Sequence, residues 1–173
     1  KKMSENITIN LEGLSKEERE QLLGLVEKAK RPKKIWKPEY GDWYWYISSD
    51  GQVYNCECEN DRIDQGRYSM GNCFRTKEEA EFAGEKQKIK TELQRYADEH
   101  NDPNLEEWNV KNWHYYIEYL PKCDALEIVS MCSRRMESVT YFTSENIAED
   151  AMKEIGKKRI MKYLFDVDCE VDE

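Results

Sequence analysis

Hydrophobic and polar positions alternate in two different rhythms along this chain, and the rhythms recur. Ile7, Ile9 and Leu11 alternate with Thr8 and Asn10, which predicts a short half-buried strand. Ser15-Lys-Glu-Glu18 then reads as a capping box, and Leu22, Leu23, Val26 and Ala29 form the stripe of a helix that ends before Pro32. From Trp43 the period becomes two: Trp43-Tyr-Trp-Tyr-Ile47 predicts a strand, Ser49-Asp50-Gly51 a turn, and Val53 to Cys58 a second strand. The polar stretch Glu59 to Asn72 reads as a loop with room for a short strand around Arg67 to Met70. Thr76-Lys-Glu-Glu79 opens a long helix through Phe82, Ile89, Leu93 and Ala97, which should stop near Pro103.

The same order then repeats. Trp113-His-Tyr-Tyr-Ile117 echoes the first aromatic run, strands are predicted over Trp113–Leu120, Ala125–Met131 and Val139–Phe142, and Ser144 caps a helix carrying Ile147, Ala148, Ala151, Met152 and Ile155. Phe74 precedes Ala80 and Ala83 by the same offsets by which Phe142 precedes Ala148 and Ala151. This is the signature of a duplicated unit. The expected architecture is α+β: an N-terminal strand and helix (3–31), a basic linker (32–42), two sheet-plus-helix repeats (43–101 and 113–165) and an acidic tail (166–173). A unit this small leaves one sheet face uncovered, so the two sheets are expected to join edge to edge or to pack together, with helices covering one side.

Composition refines this picture. Five Trp, eleven Tyr and four Phe supply large apolar side chains where only 39% of residues are hydrophobic and 36% are charged, so the core has to be aromatic. The apolar runs fall short of the ~20 residues that span a bilayer. A cytoplasmic protein with reduced thiols is the reading for six cysteines in a chain without a secretory signal. Charge is uneven: residues 1–40 hold ten basic and seven acidic groups, and the rest hold 17 basic and 29 acidic, a net −12.

Catalytic constellations are missing. Cys56-Glu-Cys58 puts two thiols on one strand face, but no second ligand pair accompanies them as structural zinc sites require. No nucleophile elbow or phosphate loop occurs, and His114 is read as a strand residue facing solvent or a tyrosine. The expectation is a protein that is not an enzyme and has no cofactor.

Binding chemistry is better represented. Glu78, Glu79, Glu81 and Glu85 crowd one helix start, and Glu145, Glu149, Asp150 and Glu154 do so on its counterpart; side by side they would form a negative ridge for a basic protein. Tyr44, Tyr46 and Tyr116 are the candidate aromatic anchors. An alternative is nucleic-acid binding through Lys28, Lys30, Arg31, Lys33, Lys34 and Lys37 with stacking aromatics, against which the acidic body weighs.

The segments Trp36-Lys-Pro-Glu-Tyr-Gly-Asp-Trp-Tyr-Trp-Tyr-Ile47 and Arg67-Tyr-Ser-Met-Gly-Asn-Cys-Phe-Arg-Thr-Lys-Glu-Glu-Ala-Glu-Phe-Ala83 resemble a widespread family of small acidic phage and prophage proteins of Firmicutes. The likeness covers roughly residues 11–164. It implies a phage accessory protein acting in the infected host's cytoplasm as an inhibitor of a host defence protein, of the anti-CRISPR type, with a CRISPR effector nuclease as one possible target.

Overall fold

The computed structural model describes Gly13, residues 15–30 and residues 36–167. The chain divides into two units, Lys1–Lys37 and Pro38–Glu173. In the first, helix α1 (Lys16–Lys30) starts where the capping pattern places it: the Glu18 carboxylate accepts from the Ser15 N–H at 2.8 Å and the Ser15 hydroxyl accepts from the Glu18 N–H at 3.3 Å. The strand expected over Ile7–Leu11 lies outside the described residues, as do Arg31, Lys33, Lys34 and the tail beyond Val167. The basic linker was expected to reach residue 42, but Pro38 is already buried and belongs to the second unit. Gly41 N–H donates to the Cys58 carbonyl at 2.9 Å with φ at +87°, a value glycine adopts without strain.

The second unit is α+β and contains five-residue strands β1 (Trp43–Ile47) and β2 (Val53–Glu57), helices α2 (Arg62–Ser69) and α3 (Lys77–His100), strands β3 (His114–Leu120) and β4 (Ala125–Met131), and helices α4 (Glu145–Ile155) and α5 (Lys157–Phe165). Each strand pair is an antiparallel hairpin, with Trp45 facing Asn55 in one and Ile117 facing Ile128 in the other. Each hairpin takes one further bridge on its first strand, Trp45 to Phe74 and Tyr115 to Phe142, through paired backbone hydrogen bonds of 2.7–2.9 Å. These bridges reproduce the register of the repeat: Trp45 and Tyr115 hold equivalent places, and so do Phe74 and Phe142. The third strand expected over Val139–Phe142 contracts to this single bridge.

The two hairpins remain separate two-stranded sheets rather than joining edge to edge. Helix α3 serves both copies. It packs on β1 and β2, and also against α4 and α5. Its apolar stripe of Ile89, Leu93 and Ala97 meets Ile117, Phe142, Ala148, Ala151, Met152 and Ile160 in one shared core. Thr76 and Ser144, equivalent again, cap α3 and α4 by accepting from the N–H groups of Glu79 and Ile147. Gly156 ends α4 at φ +98°, and α5 turns from there back along α3.

Helix α2 stands where a loop or short strand was expected. Its surface shows no apolar periodicity, so the usual signal is missing; it is held by a capping box between Asp61 and Asp64 and by hydrogen bonds to the hairpin. None of the helices among the described residues is long and apolar enough to cross a membrane.

Candidate functional site

The predicted acidic residues do not converge on one ridge. Phe82 of α3 meets Tyr163 of α5 at 5.2 Å, while Glu154 of α4 shares a hollow with Glu92 and Glu99 much further along α3. The α4–α5 segment therefore runs back along α3, and the two acidic sets lie toward opposite ends of a helix roughly 36 Å long. Several of these groups also have partners. Glu81 pairs with Lys77 at 2.9 Å, Glu149 and Asp150 share Lys153 at 3.5 and 3.1 Å, and the Glu79 carboxylate accepts from the Arg75 N–H at 2.9 Å. Glu85 is bound to Lys88 at 2.8 Å and to Arg159 at 3.2 Å, and Lys88 first, then Arg159, holds its carboxyl below the usual range. The Arg159 guanidinium also grips both oxygens of Glu92, fastening α5 to α3. Glu78, Glu145, Asp150 and Glu154 stay exposed.

The predicted tyrosine anchors are inside the protein. Tyr44 is 0% exposed and Tyr116 is buried, while Tyr46 is half covered by the Arg67 guanidinium, 3.5 Å above its ring. The reason is geometric: this strand face is roofed in both repeats, by α2 in the first and by Trp108 and Tyr141 in the second. Within the two aromatic runs, the side chains that do reach solvent are Trp43, 61% exposed, and Trp113, 52% exposed, at the same position of the two repeats; outside the runs Tyr40 and Tyr54 are exposed as well. Of the basic set, Lys37 is exposed and the backbone of Lys28 and Lys30 belongs to α1; the rest lies outside the described residues.

The inner positions of the two repeats carry the more informative chemistry. In the first, the Tyr44 hydroxyl donates to Asp64 at 2.6 Å and accepts from Arg67 at 3.0 Å. Asp64 accepts in addition from the backbone N–H groups of Glu59 and Asp61, and Arg67 reaches the Cys56 sulfur at 3.2 Å. Burial pushes the Tyr44 phenol far above its ordinary value, and the Tyr44 hydrogen bond holds the Asp64 carboxyl below its own. Every polar group here has a partner. Cys73, beside this network, is driven up to about 11 by burial, which makes it an inert thiol.

The equivalent of Tyr44 in the second repeat is His114, and its surroundings differ. Of the two environments expected for it, solvent or a tyrosine, it has the second: it is 2% exposed, stacked on Trp108 at 3.9 Å, with Tyr141 edge-on to both rings. Burial lowers its pKa, the Glu107 backbone carbonyl opposes that shift, and the charge of Arg135 adds to it, so the ring is neutral at pH 7. Nε2 has no hydrogen-bond partner, the sole such buried side-chain atom among the described residues. The Glu107 carbonyl therefore accepts from Nδ1–H, and Nε2 presents a lone pair. The imidazole forms part of the wall of a half-open cavity of about 300 Å³, lined also by Asp98, Glu106, Trp108, Arg135 and Tyr141. Asn101 anchors the floor: its amide donates to the Tyr141 carbonyl at 3.1 Å and its side-chain oxygen accepts from the Thr143 N–H at 2.9 Å.

Sequence reasoning passed over Trp108, Arg135 and Tyr141 because they sit in irregular segments. A signal existed, since Arg67 and Arg135 each stand seven residues ahead of the bridging phenylalanine of their repeat. Among the described residues no group of three or more His, Cys, Asp or Glu side chains is placed to hold a metal ion. The fold is thus a duplicated α+β scaffold. No protein-family model, curated protein or solved structure matches the chain.

Proposed function

We infer that this protein acts by stoichiometric binding to a basic protein, as a non-enzymatic phage inhibitor of a host defence nuclease. What carries the reading is the pair Trp43 and Trp113, equivalent tryptophans left exposed on a body whose residues after 40 hold 29 acidic against 17 basic groups. Exposed tryptophans supply the desolvated anchors of protein interfaces, and the carboxylate excess steers a cationic surface toward them. The same charge disfavours a polyanion as the partner of this unit. A nucleic-acid-binding groove on a CRISPR effector has the matching character.

The test is a titration of the purified protein into DNA-cleavage reactions of purified CRISPR effector nucleases. Cleavage should be lost at stoichiometric amounts, and the Trp43→Ala, Trp113→Ala double variant should weaken inhibition by roughly tenfold or more, as loss of interface anchors does. Unchanged cleavage across the effectors sinks the reading. Tight, salt-sensitive shifting of DNA or RNA by the protein alone would instead favour the basic segment Lys28–Lys37 as the working part.

A further inference from the structure

We propose that the cavity beside His114 is a receptor for an arginine side chain of the basic partner, with His114 Nε2, Glu106 and Asp98 accepting from the guanidinium and Trp108 and Tyr141 walling it in. The proposal rests on the reading above and names the residue type that the second repeat takes from its partner.

The first repeat contains the template. There a guanidinium, Arg67, donates to the inner strand residue Tyr44 at 3.0 Å and lies 3.5 Å over the ring of the next inner residue, Tyr46. The second repeat keeps the receiving side of that arrangement: an acceptor at the place of Tyr44, namely His114 Nε2, and a tyrosine, Tyr116, at the place of Tyr46. What it lacks is the donor. Helix α2 has no counterpart between β4 and Phe142, and Nε2 remains buried without a partner, a desolvation penalty that a bound donor relieves.

The lining selects the kind of donor. A neutral imidazole with its Nδ1–H held by the Glu107 carbonyl can only accept, which excludes a bare carboxylate or phosphate as its partner. Two further carboxylates, Asp98 and Glu106, line the cavity, and Gln94 leaves part of Asp98 available by donating to a single oxygen at 2.7 Å. Indole and phenol rings favour a delocalised, weakly hydrated cation, and a planar guanidinium offers several donors where an ammonium offers a point charge.

Arg135 is the resident competitor. It occupies the same offset as Arg67, yet its guanidinium stands 6.0 Å from the Trp108 ring and makes no bond to Nε2. Because Nε2 is covered, an incoming arginine must shift Trp108, which the irregular connector between α3 and β3 carries.

The probe is N-acetyl-arginine methylamide, with the matching lysine and citrulline compounds as controls, titrated into the full chain while the imidazole ¹⁵N resonances and tryptophan fluorescence are followed. A saturable shift of the His114 Nε2 resonance with the arginine compound alone supports the proposal. Arg135→Ala should tighten binding several-fold, and His114→Phe should weaken it at least tenfold while leaving the fold intact by circular dichroism. Should His114→Phe fail to fold, Trp108→Ala takes its place and should weaken arginine binding at least tenfold as read by the His114 ¹⁵N shift, and unchanged affinity there overturns the proposal. Equal response to lysine, or no Nε2 shift in either the native chain or Arg135→Ala, overturns it. Effector inhibition that survives these negative results would leave the reading of the exposed tryptophans standing, and arginine binding without inhibition would do the reverse.

Discussion

The two repeats start from the same plan and finish it differently. The first closes its inner strand face with a short polar helix, so that Tyr44, Asp64 and Arg67 satisfy one another. The second covers the same face with two aromatic rings on irregular segments and leaves His114 Nε2 without a partner. Duplication thus preserved the backbone register, down to the bridges at Phe74 and Phe142, while the side-chain chemistry inside each copy went separate ways. One copy pairs its inner polar groups with one another; the other leaves an acceptor unpaired.

The sharpest way to break this comparison is to truncate the bridging phenylalanines. Phe142 is fully buried in the shared core and Phe74 is only half covered. Phe142→Ala should cost about 3–5 kcal/mol and Phe74→Ala roughly half of that, read as unfolding free energies in urea. Equal losses would mean that the copies contribute alike to the core. Next in size, Asp64→Ala removes the acceptor of Tyr44 together with the N3 half of the α2 capping box, the carboxylate that accepts from the Asp61 N–H, and should cost about 3 kcal/mol because a buried network is left half made.

The caps should behave as twins. Thr76→Ala and Ser144→Ala each remove one acceptor at a helix start, so each should cost about 1 kcal/mol. A difference larger than the cap itself would show that α3 and α4 depend unequally on their first turns.

How much of this could be read from the residues follows the same division. The repeat, the hairpins and the long helix were legible because alternation, the Asp50-Gly51 turn and the capping patterns are local signals. Helix α2 was not legible, since Arg62–Ser69 has no apolar stripe and its stability comes from bonds to Tyr44, a residue distant in sequence. The tyrosines were misplaced for a related reason. Strand alternation says which residues share a face, but not which face a distant loop will cover, so Tyr44 and Tyr116 looked available and Trp43 and Trp113 did not. The acidic ridge failed because the direction of α4 was undetermined: Thr143 is held by Asn101 at the C-terminal end of α3, so α4 begins at the end remote from Glu78.

The smallest effect expected belongs to His114. Its pKa is lowered by burial and by Arg135, so the folded protein prefers the neutral ring. The stability this provides is present above the unfolded value near 6.5 and is lost as pH falls through the lower folded value. Thermal unfolding followed from pH 7 to 5 should show a decline that His114→Phe reduces, whereas Tyr44→Phe in the first repeat should leave its slope unchanged. A slope identical in all three proteins would remove His114 as its source.

The sharing of α3 also governs how the chain can be made. Ile89, Leu93 and Ala97 leave the ribosome well before Phe142, Met152 and Ile160, the side chains that cover them. Until those later segments are synthesised, the emerging polypeptide carries a bare greasy strip, so a fragment ending before the second hairpin should precipitate or recruit chaperones. The Arg159 grip on Glu85 and Glu92 forms only after the second repeat has emerged and acts as the latch that closes the shared core.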